Sequence, residues 1–181
     1  MATRRLFFAL WPTEPMQAAL ADAARATVAS ADGAAVPPRN FHFTLAFLGS
    51  VAESRIADLN GIGTRVAAAF QSIAGAAPLA ITLDRSDYWR KSQILCATSS
   101  VEPTEAIALA ETLKRVLTEN GFAPDLEPFR AHATLARKVR RATRERELRP
   151  VQWIFTEFAL VASQLGAQGS VYEVVATYPF S

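Results

Sequence analysis

The sequence is poor in the side chains on which several common kinds of functional site depend. It contains one cysteine, Cys96, and two histidines in 181 residues. One cysteine cannot form a disulfide within the chain, and its scarcity is typical of proteins from a reducing compartment. A structural zinc site takes about four cysteine and histidine ligands, which exceeds this total. Because Cys96 lies in an apolar run, residues 94–97, we expect a buried thiol and not a nucleophile.

Several motifs and segments are also missing. The sequence has no G-x-x-x-x-G-K phosphate loop and no G-x-S-x-G elbow, which argues against ATP-driven transfer and against a serine hydrolase. Gly61 and Gly63 have the spacing of a dinucleotide-binding loop, but neither a third glycine nor a strand-turn setting accompanies them. The N-terminal apolar run, residues 6–11, is too short for a signal peptide or a membrane span. We therefore expect a cytoplasmic protein.

The composition is that of a folded protein with a substantial core. Half of the residues are hydrophobic and 20% are charged. The net charge of +2 and the pI near 9.0 permit an anionic partner without identifying one. No linker divides the chain, so we assign residues 1–181 to a single bilobal domain.

The hydrophobic pattern predicts a mixture of strands and helices. Apolar and alternating runs predict strands at residues 6–11, 41–48, 80–84, 93–99, 129–136, 153–162 and 172–178. Helical periodicity with start and stop signals predicts helices at residues 16–31, 53–74 and 104–120. The predicted fold class is α+β and bilobal, with two similar antiparallel sheets from an ancient duplication, helices on the outside and a central cleft.

The most informative feature is a short motif that occurs twice. Each histidine begins the sequence His-x-Thr-Leu-Ala, with His42 and Thr44 in the first copy and His132 and Thr134 in the second. Residues two apart in a strand point to the same face, so each imidazole shares a face with a hydroxyl. A single histidine on an apolar strand is most often a satisfied core residue. The repetition favours a functional pair, because buried histidine and threonine both cost desolvation unless they are partnered.

Two imidazoles that titrate near neutrality can act as base and acid in one turnover. One removes a proton from an attacking water while the other protonates the departing oxygen, and nearby hydroxyls stabilise the developing negative charge. Hydrolysis of a phosphodiester fits these groups, since the phosphorus centre is anionic and its attacking and leaving oxygens lie in line. The 17 acidic residues are scattered and none adjoins a histidine in sequence, so we expect catalysis without a metal or another cofactor.

These motifs and their surroundings resemble the 2H phosphoesterase superfamily, and within it the bacterial RNA 2',3'-cyclic phosphodiesterases, also called LigT-like 2'-5' RNA ligases. The likeness extends over nearly the whole chain, and it is carried by residues 5–10, 40–49, 129–137 and 169–174. One departure is Ala131, where the family commonly has proline. We expect this difference to change the stiffness of the strand entry rather than the chemistry.

The resemblance implies hydrolysis of a 2',3'-cyclic phosphate at an RNA end to a 2'-phosphate, and reversible, ATP-independent 2'-5' joining of RNA ends. It makes His42 the proton donor to the leaving 3'-oxygen and His132 the proton acceptor that activates water. The residues alone leave that order open. Thr44 and Thr134 are then expected to bind the non-bridging phosphate oxygens. Arg137, five residues after His132, matches a family arginine at the phosphate.

Two arginines beside the second motif are candidate phosphate ligands. Strict alternation points Arg137 away from the histidine face, so we expect the strand to end or to bulge before it. The alternative for Arg137 is a solvated arginine on the opposite face. Arg130 shares the face of His132 by alternation, and it is either a second phosphate ligand or a cation at the rim.

Residues 137–149 carry seven cations against two carboxylates, and Tyr88 and Trp89 lie in a polar loop. The basic run is either a surface for an RNA backbone or a solvated arginine-rich helix with ion pairs such as Arg141 with Glu145. The two aromatic residues either stack an exposed base or form the edge of the core, and we favour the core edge.

Two other functions stay open at this point. One is a non-catalytic module that holds an RNA end without cutting it, and the other is a hydrolase of another small cyclic nucleotide phosphate. The repeated motif favours catalysis, because a binding module does not require both imidazoles. The expected partner is RNA or an oligonucleotide that ends in a 2',3'-cyclic phosphate, bound by a monomer that uses no membrane and no metal.

Overall fold

Three α-helices and nine strands make up the part of the chain that a computed structural model describes, residues 2–74, 78–141, 146–166 and 169–180. The helices are α1 (Glu14–Ala29), α2 (Ile56–Ala74) and α3 (Thr104–Glu119). The strands are β1 (Thr3–Leu10), β2 (Ala34–Ala35), β3 (Phe43–Ala52), β4 (Leu79–Trp89), β5 (Ile94–Thr98), β6 (His132–Arg137), β7 (Arg146–Phe155), β8 (Glu157–Gly166) and β9 (Gly169–Pro179). Within these ranges no helix is long and apolar enough to span a bilayer.

The strands form two antiparallel sheets. The first has the order β3-β1-β8-β9, and the second has the order β2-β6-β5-β4-β7. The two motif strands occupy similar places, because β3 is an edge strand and β6 is covered on one side by the two residues of β2 alone. The predicted α+β class with two antiparallel sheets is confirmed.

The two sheets do not correspond to the two halves of the chain. The last two strands, β8 and β9, join β1 and β3 in the first sheet. Helix α1 follows a strand of the first sheet but packs against β7 of the second, and α3 follows β5 of the second sheet but packs against β3 of the first. The two sheets are therefore interlocked, with each half of the chain contributing strands to both, and the duplication stays a prediction.

Most buried apolar side chains of the two sheets meet in one core, and a smaller cluster in the first sheet contains Phe7, Ala9, Ala159 and Val161. The ring of Phe43, on the strand of the first motif, lies 4.9 Å from the ring of Trp153 in β7. Trp153 is fully buried and its indole Nε1 donates a hydrogen bond of 3.0 Å to the carbonyl of Met16 in α1. Because residue 43 separates His42 from Thr44, this packing anchors the first motif to the opposite sheet.

Most predicted elements agree with the structure, with three differences. Strand β4 continues through Tyr88 and Trp89, which were expected in a polar loop, and β7 begins at Arg146, within the basic run. The third difference lies near residue 156. The pattern at residues 153–162 predicts one strand, whereas the chain leaves the second sheet as β7 and enters the first as β8 around Thr156. Apolar alternation continues through this change of sheet, so periodicity does not reveal it. Strand β7 also contains Pro150, which is tolerated because β7 is an edge strand with a register shift opposite Leu83 and Arg85.

The glycines at positions 61 and 63 lie inside α2 and not in a phosphate-binding loop. A Cβ atom at Gly63 would lie 2.5 Å from the ring of Tyr178, which is buried and donates a hydrogen bond of 2.7 Å to the Asn60 side chain. A Cβ atom at Gly61 would meet only the flexible end of Arg65, at 3.7 Å. Gly63 is therefore required for close packing between α2 and β9, and Gly61 is not.

This difference predicts opposite effects of the same substitution. Gly63→Ala is expected to lower the free energy of unfolding by about 1–3 kcal/mol, because the tyrosine ring must move from a packed site. Gly61→Ala is the matched control and is expected to raise it by about 0.5–1 kcal/mol through the greater helix propensity of alanine. Urea unfolding of both variants measures this, and equal effects would contradict the packing role.

Candidate active site

The first motif histidine lies just before β3 and is held through both ring nitrogens. Nδ1 of His42 donates a hydrogen bond of 2.7 Å to the backbone carbonyl of Asn40. Because a carbonyl oxygen can only accept, Nδ1 carries the proton. Nε2 lies 3.1 Å from the hydroxyl of Thr44, which donates to the neutral ring. The neutral imidazole therefore directs its lone pair toward the threonine on the same face.

The second motif histidine begins β6, and its Nδ1 is held in the same manner. Nδ1 of His132 donates a hydrogen bond of 2.7 Å to the backbone carbonyl of Arg130. In both motifs the acceptor is the carbonyl two residues before the histidine. Such a bond selects the tautomer and the ring orientation, so that in each motif Nε2 is the atom that exchanges a proton.

Both motif strands contain a β-bulge at the leucine that follows the threonine. In the first sheet, Thr44 pairs with Ala9 and Ala46 with Phe8, which leaves Leu45 without a partner. In the second sheet, Thr134 pairs with Cys96 and Ala136 with Leu95, which leaves Leu135 as the extra residue. An extra residue reverses the alternation of side chains in the rest of the strand.

The bulges turn Phe47 and Arg137, each five residues after its histidine, to the histidine face. Phe47 packs with the aromatic residues that surround His42. The guanidinium of Arg137 lowers the pKa of both His42 and His132 through its positive charge, so it lies within electrostatic reach of both rings. The strand irregularity expected before Arg137 is confirmed.

Residues of both motifs line one cavity of about 500 Å³, namely Thr44 of the first motif and His132 of the second. Of the other predicted site residues, His42, Thr134 and Arg137 are not among those that line it. Its other walls come from Trp89 at the end of β4, from α3, and from the segment between α3 and β6. The charge on His132 also lowers the pKa of His42, as expected for two imidazoles in a shared site.

Three aromatic rings enclose His42. Trp11 is stacked on the imidazole at 5.1 Å, Phe7 lies at 5.1 Å, and Tyr172 of β9 presents its edge at 5.3 Å. Burial of the ring is the main reason that the pKa of His42 falls to about 4, and the charges of Arg137 and the other histidine lower it further. The hydrogen bond to the Asn40 carbonyl opposes this shift.

His132 is affected by burial and by the charges of two arginines. Burial again has the largest effect and lowers the pKa of His132, and the charges of Arg130 and Arg137 act in the same direction. The hydrogen bond to the Arg130 carbonyl raises it. The imidazole lies 4.4 Å from the ring of Trp89, at an interplanar angle of 47°. Both histidines are therefore shifted toward the neutral form.

This geometry agrees with comparisons to known proteins. A profile of the 2'-5' RNA ligase superfamily matches residues 12–167. The chain belongs to this superfamily. It is 31% identical over 179 residues to an RNA 2',3'-cyclic phosphodiesterase of Thermus thermophilus, and the alignment covers 94% of this chain and 87% of the relative.

Two solved structures are similar to the protein over nearly its whole length. TT0787 of Thermus thermophilus is 31% identical, with 97% of both chains covered and a TM-score of 0.78. E. coli LigT in complex with 3'-AMP is 24% identical, with 98% of both chains covered and a TM-score of 0.85, and this likeness supports the fold. The family resemblance predicted from the paired motifs is confirmed.

In this member of the superfamily, Trp89 lies in the cleft, contrary to the predicted core edge. Its indole contacts His132, and the guanidinium of Arg130 lies over it at 4.9 Å. Tyr88 does pack against the core, and its hydroxyl donates a hydrogen bond of 2.8 Å to the carbonyl of Val139. Neighbouring residues of a strand face opposite sides, and the sequence did not show which side was the cleft.

The described cations of the basic run are exposed: Arg137, Lys138, Arg140, Arg141, Arg146 and Arg149. Arg149 pairs with Asp22 of α1 at 2.9 Å, so that end of the run lies away from the histidines. The suggested ion pair of Arg141 with Glu145 falls partly outside the described residues. Because β7 begins at Arg146, the last part of the run is a strand and not the helix of the solvated alternative.

Other candidate groups do not contribute to this site. Cys96 is buried as expected, and burial raises the pKa of its thiol to about 12, so it is not a nucleophile at neutral pH. Among the described residues there is no group of three or more histidine, cysteine, aspartate and glutamate side chains that could hold a metal ion.

Sequence patterns missed the residues that hold the loop before the first histidine. Gln17 is buried in α1, and its amide donates hydrogen bonds of 3.2 Å to the carbonyls of Arg39 and Phe41. The side chain of Asn40 donates a hydrogen bond of 2.9 Å to the carbonyl of Ser170 in β9. The available signal was a polar glutamine sharing the buried face of α1 with leucine and alanine.

Gln17 is expected to fix the tautomer of the first histidine from a distance. Gln17→Leu leaves two backbone carbonyls without this donor, and we expect the free energy of unfolding to fall by about 1–3 kcal/mol. The Nδ1–H form of His42 should also become less populated, because Asn40 is no longer held between two anchored neighbours. Nitrogen NMR shifts of both histidines measure this, with His132 as the internal control. A shift at both rings, or at neither, would contradict the positioning role.

The low pKa of His42 also predicts how stability depends on pH. The imidazole has a pKa of 6.5 when unfolded and about 4 when folded. Between these values the unfolded chain binds more protons, so the free energy of unfolding is highest above pH 6.5 and falls on acidification. From about pH 7 to about pH 5, the free energy of unfolding should fall by about 2 kcal/mol more in the native protein than in His42→Phe. Urea unfolding at both pH values tests this, and equal losses would refute it.

Proposed function

We propose that this protein is an RNA 2',3'-cyclic phosphodiesterase that opens a terminal 2',3'-cyclic phosphate to a 2'-phosphate. The observation that carries the proposal is one cavity lined by Thr44 of the first motif and His132 of the second, with both imidazoles held in the same tautomer and near enough to Arg137 for its charge to lower the pKa of each. The Thermus thermophilus relative that carries this activity in its name is 31% identical over almost the whole chain.

The proposed reaction uses one imidazole at each end of an in-line displacement. Nε2 of His132 accepts a proton from water as the water oxygen bonds to phosphorus. The bond from phosphorus to the 3'-oxygen breaks, and that oxygen takes a proton from Nε2 of His42. The product keeps a 2'-phosphate and gains a 3'-hydroxyl. This order of donor and acceptor comes from the family resemblance, and with a 5'-hydroxyl in place of water the same groups serve 2'-5' joining.

The negative charge of the bound substrate converts His42 into the protonated form that serves as the acid. With a pKa of about 4, His42 is neutral near pH 7 before a phosphate binds. A bound phosphate anion favours the protonated ring, because an opposite charge within a few ångströms raises the pKa of an imidazole. The stacked indole of Trp11 assists, since the face of an aromatic ring attracts a cation. We infer that His42 becomes protonated together with substrate binding.

The remaining groups of the cleft are proposed to bind the phosphate. The hydroxyls of Thr44 and Thr134 share faces with the histidines and are suited to donate to the non-bridging oxygens. Arg137 supplies a fixed positive charge on the same face. With these groups present, we propose that neither a metal nor another cofactor is needed.

The wider assignments follow from the same reasoning. We propose that residues 1–181 form a single bilobal domain, which the core shared by the two sheets supports. We further propose that the partner is RNA ending in a cyclic phosphate, that the protein acts as a cytoplasmic monomer, and that the cations near Arg137 contact the RNA backbone.

The test is turnover of an oligonucleotide with a 2',3'-cyclic phosphate end, in excess EDTA, with the phosphate position of the product identified by NMR. The native protein should give the 2'-phosphate. His42→Ala and His132→Ala should each lower kcat by about 100- to 10,000-fold, because each removes one proton-transfer group.

Gly61→Ala serves as the control, since it changes one residue on α2 and leaves the cleft intact. A requirement for added metal would refute the metal-independent mechanism. If the native protein shows no turnover, and the two histidine variants bind the RNA end as tightly as the native protein does, the protein is a binding module instead. Turnover of small cyclic nucleotides but not of RNA would indicate the other hydrolase class.

A further inference from the structure

The backbone directly after Arg137 is held in an uncommon conformation. Lys138 has a φ angle of +56°, in the left-handed region that residues other than glycine rarely adopt. The next residue, Val139, is fully buried, and its backbone N–H donates a hydrogen bond of 2.9 Å to the carbonyl of Gln93. Gln93 is itself left-handed, with a φ angle of +54°. Such conformations persist only where the surrounding structure over-determines them, so this segment must be fixed by its neighbours.

The turn between α1 and β2 supplies one of these fixed points. Oδ1 of Asp32 accepts hydrogen bonds from two successive backbone N–H groups, that of Arg140 at 2.9 Å and that of Arg141 at 3.0 Å. The bonds from Arg141 and Arg140 are the main reason that the pKa of Asp32 lies below its usual value. The acceptor is therefore a carboxylate, and a charged acceptor makes a stronger hydrogen bond than a neutral one.

Gly33 allows the same turn to approach the backbone of Arg137. A Cβ atom at position 33 would lie 2.6 Å from the carbonyl oxygen of Arg137 and would overlap the side chain of Val139. The following residue, Ala34, pairs with Arg137 in the second sheet. On the other side, the hydroxyl of Tyr88 donates a hydrogen bond of 2.8 Å to the carbonyl of Val139. The backbone from residue 137 to residue 141 is thus fixed between the α1–β2 turn and the β4–β5 hairpin.

The side chain of Arg137 depends on this backbone for its direction. Its guanidinium forms no ion pair with any described residue, and the side chain is exposed. Its charge nevertheless lowers the pKa of His42 and of His132, so it lies near both rings. Holding a long side chain in one place costs conformational entropy, and no acidic partner offsets that cost here. The bulge at Leu135 and the fixed segment after Arg137 therefore determine where the side chain points.

We propose that Asp32 is a positioning residue for Arg137, which it holds toward the two histidines by anchoring the backbone N–H groups of residues 140 and 141. The inference rests on the proposed function, in which Arg137 binds the phosphate, and adds to it a residue that touches neither the phosphate nor the histidines. Asp32 lies 108 positions before Arg140 in the chain, so no local pattern connects it with the second motif.

The experiment compares two substitutions of Asp32, with and without Arg137. Asp32→Ala removes the acceptor, and we expect calorimetry to show that affinity for inorganic phosphate falls about 3- to 10-fold. Asp32→Asn keeps an accepting oxygen at the same position and should retain most of the native affinity. In the Arg137→Gln background, Asp32→Ala should have no further effect, because the group that it positions has been removed.

Histidine titrations followed by NMR give a second readout, which needs neither substrate nor turnover. In Arg137→Gln, the pKa values of His42 and His132 should both rise, because the charge that lowers them is absent. Asp32→Ala should raise both pKa values in the same direction, since the guanidinium then spends less time near the rings. A residue that only stabilised the fold would change the unfolding temperature and leave these titrations as they are.

Asp22→Ala is the matched control, since it removes an exposed carboxylate of α1 that pairs with Arg25 and Arg149 and not with residues 137–141. Thermal unfolding verifies that each variant is folded. Unchanged phosphate affinity in Asp32→Ala, unchanged histidine pKa values, or an equal loss in Asp22→Ala would each overturn the positioning role. The same loss of affinity in the Arg137→Gln background would also overturn it. Absence of turnover by the native protein would refute the proposed function instead, and both measurements would still decide the role of Asp32.

Discussion

One hydrogen bond, made twice, determines what this cleft can do. Nδ1 of each motif histidine donates to the backbone carbonyl two residues earlier, and this bond leaves Nε2 as the nitrogen that exchanges a proton. The same bond removes the ambiguity between tautomers, so the neutral ring accepts a proton and the charged ring donates one from the same atom. Acid and base roles then depend on the surroundings of each ring and on the bound phosphate.

The two rings are positioned by a fold in which each half of the chain contributes strands to both sheets. The motif strands belong to different sheets, and α1 and α3 each cross to pack on the sheet to which their preceding strand does not belong. A core shared by Phe43 and Trp153 joins the sheets behind the cleft. Because the rings are anchored from both sides, the spacing of the two proton-transfer atoms depends on the packing of the whole molecule.

Much of this arrangement was predictable from local patterns. The repeated motif identified His42 and His132, and strand alternation placed a threonine beside each of them. The position of Arg137 required a bulge, which the pairing of β5 with β6 confirms. The aromatic enclosure of His42 was not predictable, because Trp11 and Tyr172 lie far apart in sequence and nothing in an apolar run shows which side faces a cleft. The same reason applies to Trp89.

The sequence by itself determined the reacting groups and their local direction, because strand alternation and the Thr-Leu bulge act over a few residues. It also determined the family, since the paired motifs recur with their flanking residues. Only the tertiary structure decided the electrostatics: burial by distant aromatic residues lowers the pKa of His42, and Arg130 lies over Trp89 from the segment before β6. Such effects depend on distances between elements, which no local pattern encodes.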